Sequence, residues 1–539
     1  MTLSFGASTP GLGQLARVRV ADGLRVRPTF RDAERREARM RRLLVLGVTV
    51  VLVIATTAGV VAKTDLVRQP TPEAVVAEHI DALNECDVDR LMAQYPDDIK
   101  ILLPGGVTTA GRDDVRALFE GFCQPFPAGL AGLHFTELSS SKVHKTINAQ
   151  WKAEACFLAE PYLGADAYET WSGLMAAQVT TFDGAELAIN PDWRQDCGVE
   201  LRFQTTAGPL EQDEIGNVLA HHHYFVELGD ATPEDFLGST PEEVYEALEP
   251  WLTEAKALGA GSFIEPTPFG VGRRPDIVKY VADQADLPTM MVTGIYREPF
   301  VTDDMPGWVY GASVEEIADF MRGELSGDPG VGGTGVPAGF IKLSQNDTGM
   351  TLTEKKILEA ACLVAQETDA TIASHITSGP AALAVIDAVE GFGCDLDRYR
   401  FVWIHSQVTA RADGATLEGS WGTGHDPGFD YIMAAAERGA YISLDGIGSG
   451  FWSDYYGGFE LNLGWIEDLV AAGYEDQVLI GSDTGWYDPG YPGEEVSWPG
   501  SQDFASILEF ADWMATQGVS PELIQKLMTG NPFEAYARP

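Results

Sequence analysis

Three consecutive histidines, His221, His222 and His223, are the residues of this chain whose types and spacing most directly suggest chemistry. They lie between two short apolar runs. Because side chains alternate along a strand, His221 and His223 would point to one side and His222 to the other. Two imidazoles about 7 Å apart on one strand face suit a first-row metal ion. Three adjacent histidines also occur by chance in solvated loops, so the stretch alone leaves both interpretations open.

Eight short β-like runs recur from residue 217 onward, with helical stretches and loops between them. The runs are Asn217–His221, Gly261–Pro266, Thr289–Gly294, Gly339–Leu343, Thr371–His375, Phe401–His405, Ala440–Asp445 and Gln477–Asp483. Helical patterns such as Ser313–Arg322 and Thr353–Thr368 follow individual runs. Strands that alternate with helices predict βαβ units, and eight of them over roughly 330 residues fit an α/β TIM barrel.

Chemically versatile side chains fall at the ends of these runs. The first run ends in His221, the fourth carries Lys342, and later runs end in His375, His405 and Asp483. In a TIM barrel the carboxyl ends of the strands meet at one face, where the active site lies. We therefore expect these residues to meet around one point, although they are far apart in the sequence.

Motifs around these strand ends resemble the phosphotriesterase family of the amidohydrolase superfamily over residues 208–539. The matching motifs are Gly208-Pro209-Leu210, Glu214-Ile215-Gly216, the His-x-His itself, Glu265-Pro266-Thr267-Pro268, Gly270-Val271-Gly272-Arg273, Thr293-Gly294-Ile295-Tyr296, Gly339-Phe340-Ile341-Lys342, Ser374-His375, Ile404-His405, Ser482-Asp483 and Thr529-Gly530-Asn531-Pro532. One departure is His222, which occupies a position that is usually acidic in the family. We expect its side chain to face away from the metals, so the departure should cost little.

The resemblance implies a binuclear metal-dependent hydrolase with two divalent ions, expected to be zinc. The implied ligands are His221, His223 and Asp483 for one ion, His375 and His405 for the other, and Lys342 as a bridge. A free ammonium has no lone pair to donate, so Lys342 would have to be N6-carboxylated. Two such ions lower the pKa of a bridging water and polarise the substrate. Asp483 would take the proton of that water.

Tyr296 would orient or polarise the substrate, although an ordinary aromatic at the barrel mouth is an equally good interpretation. The expected substrate is a small lactone, ester or phosphotriester. An amide hydrolase of the same superfamily is an alternative. A non-catalytic binding or scaffold protein with a ligand-sensing N-terminal domain is another, although no ligand position of the barrel is lost. A homodimer is a further expectation.

The N-terminal residues predict a membrane anchor. Residues 1–42 hold ten arginines and four acidic residues, a net charge of +6, and residues 43–62 are uncharged and mostly apolar. Twenty such residues suffice for a transmembrane helix, and the positive leader should stay in the cytoplasm. The catalytic region would then lie outside the cytoplasm. A cleaved signal peptide and secretion are the alternative.

The charge of the remaining chain excludes one class of partner. Since the whole chain carries −44 and the leader +6, residues 43–539 carry −50. Binding to nucleic acid depends on lysines and arginines that neutralise phosphates, so such an acidic surface argues against it.

Residues 72–206 predict a separate α+β domain, because a helical pattern from Pro72 is followed by strand-like runs. The order resembles the cone-shaped NTF2-like (SnoaL-like) fold. Four cysteines lie in this domain, and an even number in an exported domain suggests disulfides. Three pairings are possible, of which Cys86–Cys123 with Cys156–Cys197 is preferred.

Overall fold

The computed structural model describes residues 66–227, 231–298, 307–411, 428–448, 458–490 and 504–539. The predicted leader at 1–42 and the predicted membrane span at 43–62 lie outside these ranges. Within the described ranges, no helix is both long and apolar enough to cross a membrane.

The N-terminal part of the described chain is an α+β domain. Its helices are α1 (Pro72–Asn84), α2 (Val88–Ala93), α3 (Arg112–Phe122) and the short α4 (Trp193–Asp196). Its strands are β1 (Lys100–Leu102), β2 (Thr108–Ala110), β3 (His134–Val143), β4 (Thr146–Glu154), β5 (Tyr162–Trp171) and β6 (Leu174–Thr180). They form one six-stranded sheet in the order β2-β1-β6-β5-β4-β3. All neighbours in it are antiparallel except β1 and β6.

The start of α1 follows from its sequence. Thr71 accepts a hydrogen bond from the backbone N–H of Ala74, and Pro72 occupies the first helical turn, where a missing N–H costs nothing. Val75, Val76 and Leu83 are buried on one face, as the helical spacing predicts. The sequence predicted strand-like runs only at 134–143, 148–159, 176–182 and 199–205, and it missed β5, whose buried side includes the polar Asp166 and Thr170.

Two disulfides join the cysteine pairs that the sequence favoured, Cys86–Cys123 and Cys156–Cys197. A third bond, Cys362–Cys394, was not predicted. Its two cysteines come together only because the helix that carries Cys362 packs beside the segment that carries Cys394, and this packing is not encoded in local spacing.

The C-terminal part is a closed barrel. Its strands are β9 (Asn217–Leu219), β10 (Ala260–Glu265), β11 (Thr289–Met291), β12 (Ile341–Ser344), β13 (Ile372–His375), β14 (Phe401–Ile404), β15 (Tyr441–Leu444) and β16 (Val478–Ile480). They pair in parallel as β9-β10-β11 and as β12 to β16. Parallel bridges Thr293–Ile341 and His222–Thr484 close the ring. The predicted eight-stranded TIM barrel is therefore confirmed.

Helices surround the barrel strands. They are α5 (Pro233–Gly238), α6 (Pro241–Ala257), α7 (Pro275–Ala285), α8 (Trp308–Gly311), α9 (Val314–Ser326), α10 (Leu352–Thr368), α11 (Gly379–Gly391), α12 (Ser406–Arg411), α13 (Phe429–Glu437), α14 (Phe459–Ala471), α15 (Ser506–Gln517), α16 (Pro521–Gln525) and α17 (Asn531–Tyr536). Consecutive strand residues contribute to different apolar clusters. Val218 packs among other strand residues, whereas Leu219 packs against the helices. This alternation gives the barrel an inner and an outer core.

The barrel begins earlier than the predicted boundary between residues 206 and 208. Strand β7 (Phe203–Thr205) forms a hairpin with β8 (Gly208–Leu210), and Phe203 is buried beside Ile215 and Val218 of the barrel. The two parts are also tied by charge. Arg194 of α4 donates two hydrogen bonds, of 2.8 and 2.6 Å, to the carboxylate of Asp369 in the barrel.

The buried His79 should make the stability of the N-terminal domain sensitive to acid. It is fully buried, its Nδ1 lies 3.0 Å from the hydroxyl of Tyr95, and burial lowers its pKa from 6.5 to about 4. Because the folded state disfavours the charged form, stability is complete above pH 6.5 and falls as the pH drops towards 4. The loss should amount to about 3 kcal/mol over that interval.

The variant His79→Gln should flatten this dependence, as measured by the midpoint of thermal unfolding at several pH values. The exposed His134 offers a control, since His134→Gln should leave the slope unchanged. An unaltered slope in His79→Gln would show that other groups cause the acid sensitivity.

Candidate metal centre

The carboxylate of Asp483 lies at the centre of a histidine cluster at the carboxyl ends of the strands. Its Oδ1 is 3.0 Å from His223 Nε2 and 3.3 Å from His221 Nε2. Its Oδ2 is 3.1 Å from His405 Nε2. These residues follow β9, β14 and β16, so barrel closure brings them together as the sequence predicted.

The backbone that presents these side chains is unusual. His221, His405 and Asp483 have φ angles of 55°, 63° and 51°, in the left-handed region that non-glycine residues rarely adopt. Alternation along a strand was predicted to place the side chains of His221 and His223 on the same side. That explanation is wrong, although both side chains do reach the cluster. Strand β9 ends at Leu219, and a left-handed residue turns the chain. Such strain persists where surrounding contacts enforce it, commonly at functional sites.

Gly481 allows these strand ends to approach each other. A Cβ atom at this position would lie 2.5 Å from Asp445 Oδ1 and 2.9 Å from His221 Cβ. Any larger residue would push β16 away from its neighbours and open the cluster.

His375, Tyr296 and Lys342 lie beside this cluster. The ring centroid of His375 is 4.4 Å from that of His405 and 5.5 Å from that of Tyr296. Lys342 Nζ is 5.7 Å from the Tyr296 ring centroid. Burial lowers the pKa of His375 well below its usual value, so its imidazole is neutral and has a lone pair for a metal. All the site residues predicted from the sequence thus lie in one region.

Lys342 has the environment that a modified lysine would need. Its side chain is 2% exposed, and within the described residues it forms no ion pair. Burial lowers its pKa to about 8, which raises the fraction of neutral amine. Only a neutral amine can react with carbon dioxide, so the site fits a carboxylated lysine.

Partners on the far side of the histidine rings fix their protonation. His221 Nδ1 donates to Asp445 Oδ1 at 2.8 Å. His223 Nδ1 lies 2.7 Å from Thr267 Oγ1 and 3.2 Å from Glu265 Oε1. A proton held at Nδ1 would leave each Nε2 free to ligate a bound metal ion in place of its contact with Asp483.

Asp445 is a functional residue that the sequence analysis missed. It is fully buried, and its Oδ2 accepts a hydrogen bond of 2.8 Å from the backbone N–H of His405. Gln407 accepts from the backbone N–H of Asp445 at 3.0 Å and donates to its carbonyl. The sequence did contain a signal for Asp445. It ends the seventh predicted strand, and the corresponding ends of other strands carry the proposed metal ligands.

The cluster fits a divalent cation. Ligand atoms of His221, His223 and Asp483 lie within 4.8 Å of one another, and so do those of His221, His405 and Asp445. Burial would raise the pKa of Asp483, but nearby His221 and hydrogen bonds from His223 and His405 hold it well below its usual range. An anionic oxygen among imidazole nitrogens is a donor set that suits zinc and similar ions.

His222 points away from the cluster, as expected, but its side chain contributes to the stability of the fold. It is fully buried, its Nδ1 donates to the Ala220 carbonyl at 3.2 Å, and its Nε2 accepts from Ser482 Oγ at 2.6 Å. Burial lowers its pKa to about 3. The low expected cost of changing His222 therefore applies to metal binding and not to stability.

The variant His222→Ala should keep its metal ions but lose about 1–3 kcal/mol of stability, since it leaves the buried Ser482 without this partner. His221→Ala should instead lose metal. Metal analysis and thermal unfolding of both variants test this contrast. If His222→Ala lost its metal while His221→Ala kept it, the ligand assignment on the first strand would be wrong.

The comparison with known families agrees with this geometry. The model of the phosphotriesterase family matches residues 201–536. The chain belongs to the phosphotriesterase family. The matched segment includes the whole barrel and every residue of the candidate metal centre, and it begins before β7, where the structure places the start of the barrel.

Two relatives of the chain are named for hydrolytic activities, and a solved structure shares its fold. The chain is 26% identical over 337 residues to an aryldialkylphosphatase of Saccharolobus solfataricus, covering 61% of this chain and 97% of that protein. It is 22% identical over 369 residues to an N-acetyltaurine hydrolase of Salmo salar, covering 61% and 96%. A double mutant of organophosphorus hydrolase from Deinococcus radiodurans superposes with a TM-score of 0.51 at 22% identity, covering 63% and 98%. The protein is a metal-dependent hydrolase of the phosphotriesterase family.

Proposed function

We propose that this phosphotriesterase-family hydrolase uses two divalent ions, expected to be zinc, to cleave a lactone, ester or phosphotriester. The observation that carries the proposal is the contact of the Asp483 carboxylate with three histidines from two other strand ends. His221, His223 and Asp483 would hold one ion, and His375 and His405 the other, with carboxylated Lys342 between them.

When bound, the two ions would supply Lewis acidity to the scissile group and acidify water. The protein would supply the proton acceptor. Asp483 is anionic at neutral pH, because its neighbours hold its pKa well below the usual range. It can therefore take a proton at a carboxylate oxygen and pass it to the leaving group.

Tyr296 would bind the substrate as a hydrogen-bond donor. Burial raises its pKa to about 12, so its hydroxyl keeps the proton at neutral pH. Its ring lies against His375 and near Lys342, which places it at the edge of the candidate metal centre.

Metal analysis together with a substrate panel tests the proposal. The purified protein should contain about two divalent ions per chain. His375→Ala should lose one, whereas the exposed His134→Ala should lose none. The panel should contain matched lactones, esters, phosphotriesters and amides. Absence of bound metal after reconstitution with zinc, manganese or cobalt would refute the proposal.

Amide hydrolysis is a second candidate, which is supported by the relative named N-acetyltaurine hydrolase. The same substrate panel distinguishes amide hydrolysis from ester or lactone hydrolysis. An amine is a poorer leaving group than an alcohol and must be protonated as it departs. Preference for N-acyl amides over esters of the same acyl group would favour this alternative.

We also propose that the catalytic part lies outside the cytoplasm, either anchored by residues 43–62 or secreted after their cleavage. Three disulfides support an oxidising location. We further propose that the N-terminal domain, predicted at 72–206 and without β7, has an NTF2-like fold. Protease added to intact cells should reach the barrel, while a tag before Arg17 should stay protected. The reverse result would contradict this orientation.

A further inference from the structure

Arg297 places a positive charge beside the candidate metal centre. It follows Tyr296 in the chain, and its guanidinium carbon lies 5.8 Å from the Tyr296 ring centroid. The same ring lies 5.5 Å from that of His375 and 5.7 Å from Lys342 Nζ. The Tyr296 ring therefore neighbours both the guanidinium and groups that are expected to hold metal.

The guanidinium is held by Asp347, which is itself held by Thr377 at the end of the next strand. Arg297 Nη1 lies 3.3 Å from Asp347 Oδ2. Asp347 in turn accepts hydrogen bonds from the backbone N–H of Thr377 at 2.8 Å and from its hydroxyl at 2.6 Å. The three residues follow β11, β12 and β13, so Arg297 is oriented at the catalytic face of the barrel.

A buried carboxylate fixes the backbone on both sides of this pair. Glu354, in the first turn of α10, is 1% exposed. It accepts hydrogen bonds from the backbone N–H groups of Glu298 at 3.1 Å and Asn346 at 3.3 Å. Glu298 follows Arg297 in the chain, and Asn346 precedes Asp347. The backbone around the ion pair is therefore held in place before a ligand binds, and binding does not have to order it.

Contacts with other described residues use little of the hydrogen-bonding capacity of Arg297. A guanidinium has five N–H donors, and among the described residues only the Nη1 contact with Asp347 engages one. The side chain is 28% exposed. A planar fork of donors at a partly buried position is the arrangement that binds carboxylate and phosphate groups most effectively.

We propose that Arg297 binds an anionic substituent of the substrate, a carboxylate or a phosphate, while the scissile bond lies at the metal centre. This inference rests on the proposed hydrolase function and specifies its substrate class as small lactones or esters that carry such an anion. The chain as a whole repels anions, since its net charge is −44. A fixed cation at Arg297 would offset this repulsion at the position of the anionic substituent.

A matched pair of substrates tests the proposal: a five-membered lactone with and without a ring carboxylate. The wild-type protein should favour the carboxylated lactone. Arg297→Gln should lower kcat/KM for it by about 10- to 100-fold, mainly through KM, the usual effect of losing a charge-assisted hydrogen bond. The neutral lactone should change by less than about twofold, and Arg297→Lys should retain part of the preference.

Arg438→Gln is the matched control, because Arg438 is similarly exposed at 26% and is paired with Asp387 and Glu390. It should leave the substrate preference unchanged. A phosphorylated lactone in the same series shows which anion is preferred. Equal losses for charged and neutral lactones in Arg297→Gln, together with a lower thermal midpoint, would assign Arg297 a structural role and overturn the inference.

A binding measurement separates failure of this inference from failure of the proposed function. Cyclopentanone carboxylate and cyclopentanone resemble the two lactones but cannot be hydrolysed. Calorimetry on the metal-loaded protein should show the carboxylate binding about tenfold more tightly, with the advantage lost in Arg297→Gln. This result without turnover of any substrate would leave Arg297 as an anion site and refute hydrolysis. Equal affinities would refute the anion site, whatever the turnover.

Discussion

Asp483→Asn should lower turnover by about 10²-fold or more while the barrel remains folded. The amide that replaces the carboxylate has one oxygen with the same lone pairs, so at least one metal ion should still bind. It cannot accept a proton at neutral pH. In the structure the carboxylate contacts His221, His223 and His405, and these contacts keep it anionic.

The measurement is kcat for the best substrate of the panel, with metal content determined on the same samples. Asp476→Asn is a suitable control, because that carboxylate is 77% exposed and pairs only with Lys526 among the described residues. Turnover of Asp483→Asn within about twofold of the wild type would remove Asp483 from the chemistry, since general acid–base groups contribute far more.

Lys342→Ala should abolish most activity and weaken the binding of the second metal ion. The lysine is 2% exposed, and its removal leaves a buried space beside His375 and Tyr296. If the native bridge is a carboxylated lysine, a short carboxylic acid such as acetate or propionate can supply the missing oxygens. Partial recovery of activity and metal with these acids is therefore expected.

Lys342→Arg should fail with or without added acid, because a guanidinium stays charged and cannot form a carbamate. Lys279→Ala controls for the loss of a lysine, since Lys279 is half-exposed and paired with Asp283 on the outside of the barrel. Full activity and two metal ions in Lys342→Ala without additive would show that no bridge is formed at this position.

Local patterns in the sequence were sufficient to predict the barrel strands and the residues at their ends, whereas the proposed metal-binding roles of those residues came from the family resemblance. Apolar runs of strand length alternate with helical periods, and each period is set by residues that are close in the chain. The direction of parallel strands then places the ends of all runs at one face, which is why His375, His405 and Asp483 could be assigned together. The pairing of Cys86 with Cys123 was preferred among the three that the sequence allowed, and the structure contains it.

Contacts between strand ends were decided by the tertiary structure alone. Asp445 is hydrogen-bonded to His221 and to His405, and Arg297 forms an ion pair with Asp347. The residues in these pairs are 40 to 224 positions apart in the sequence. No local period encodes them, because they depend on barrel closure and on the left-handed turns at His221, His405 and Asp483. The sequence thus determined which residues meet, whereas the closed barrel determined how each of them is held, protonated and charged.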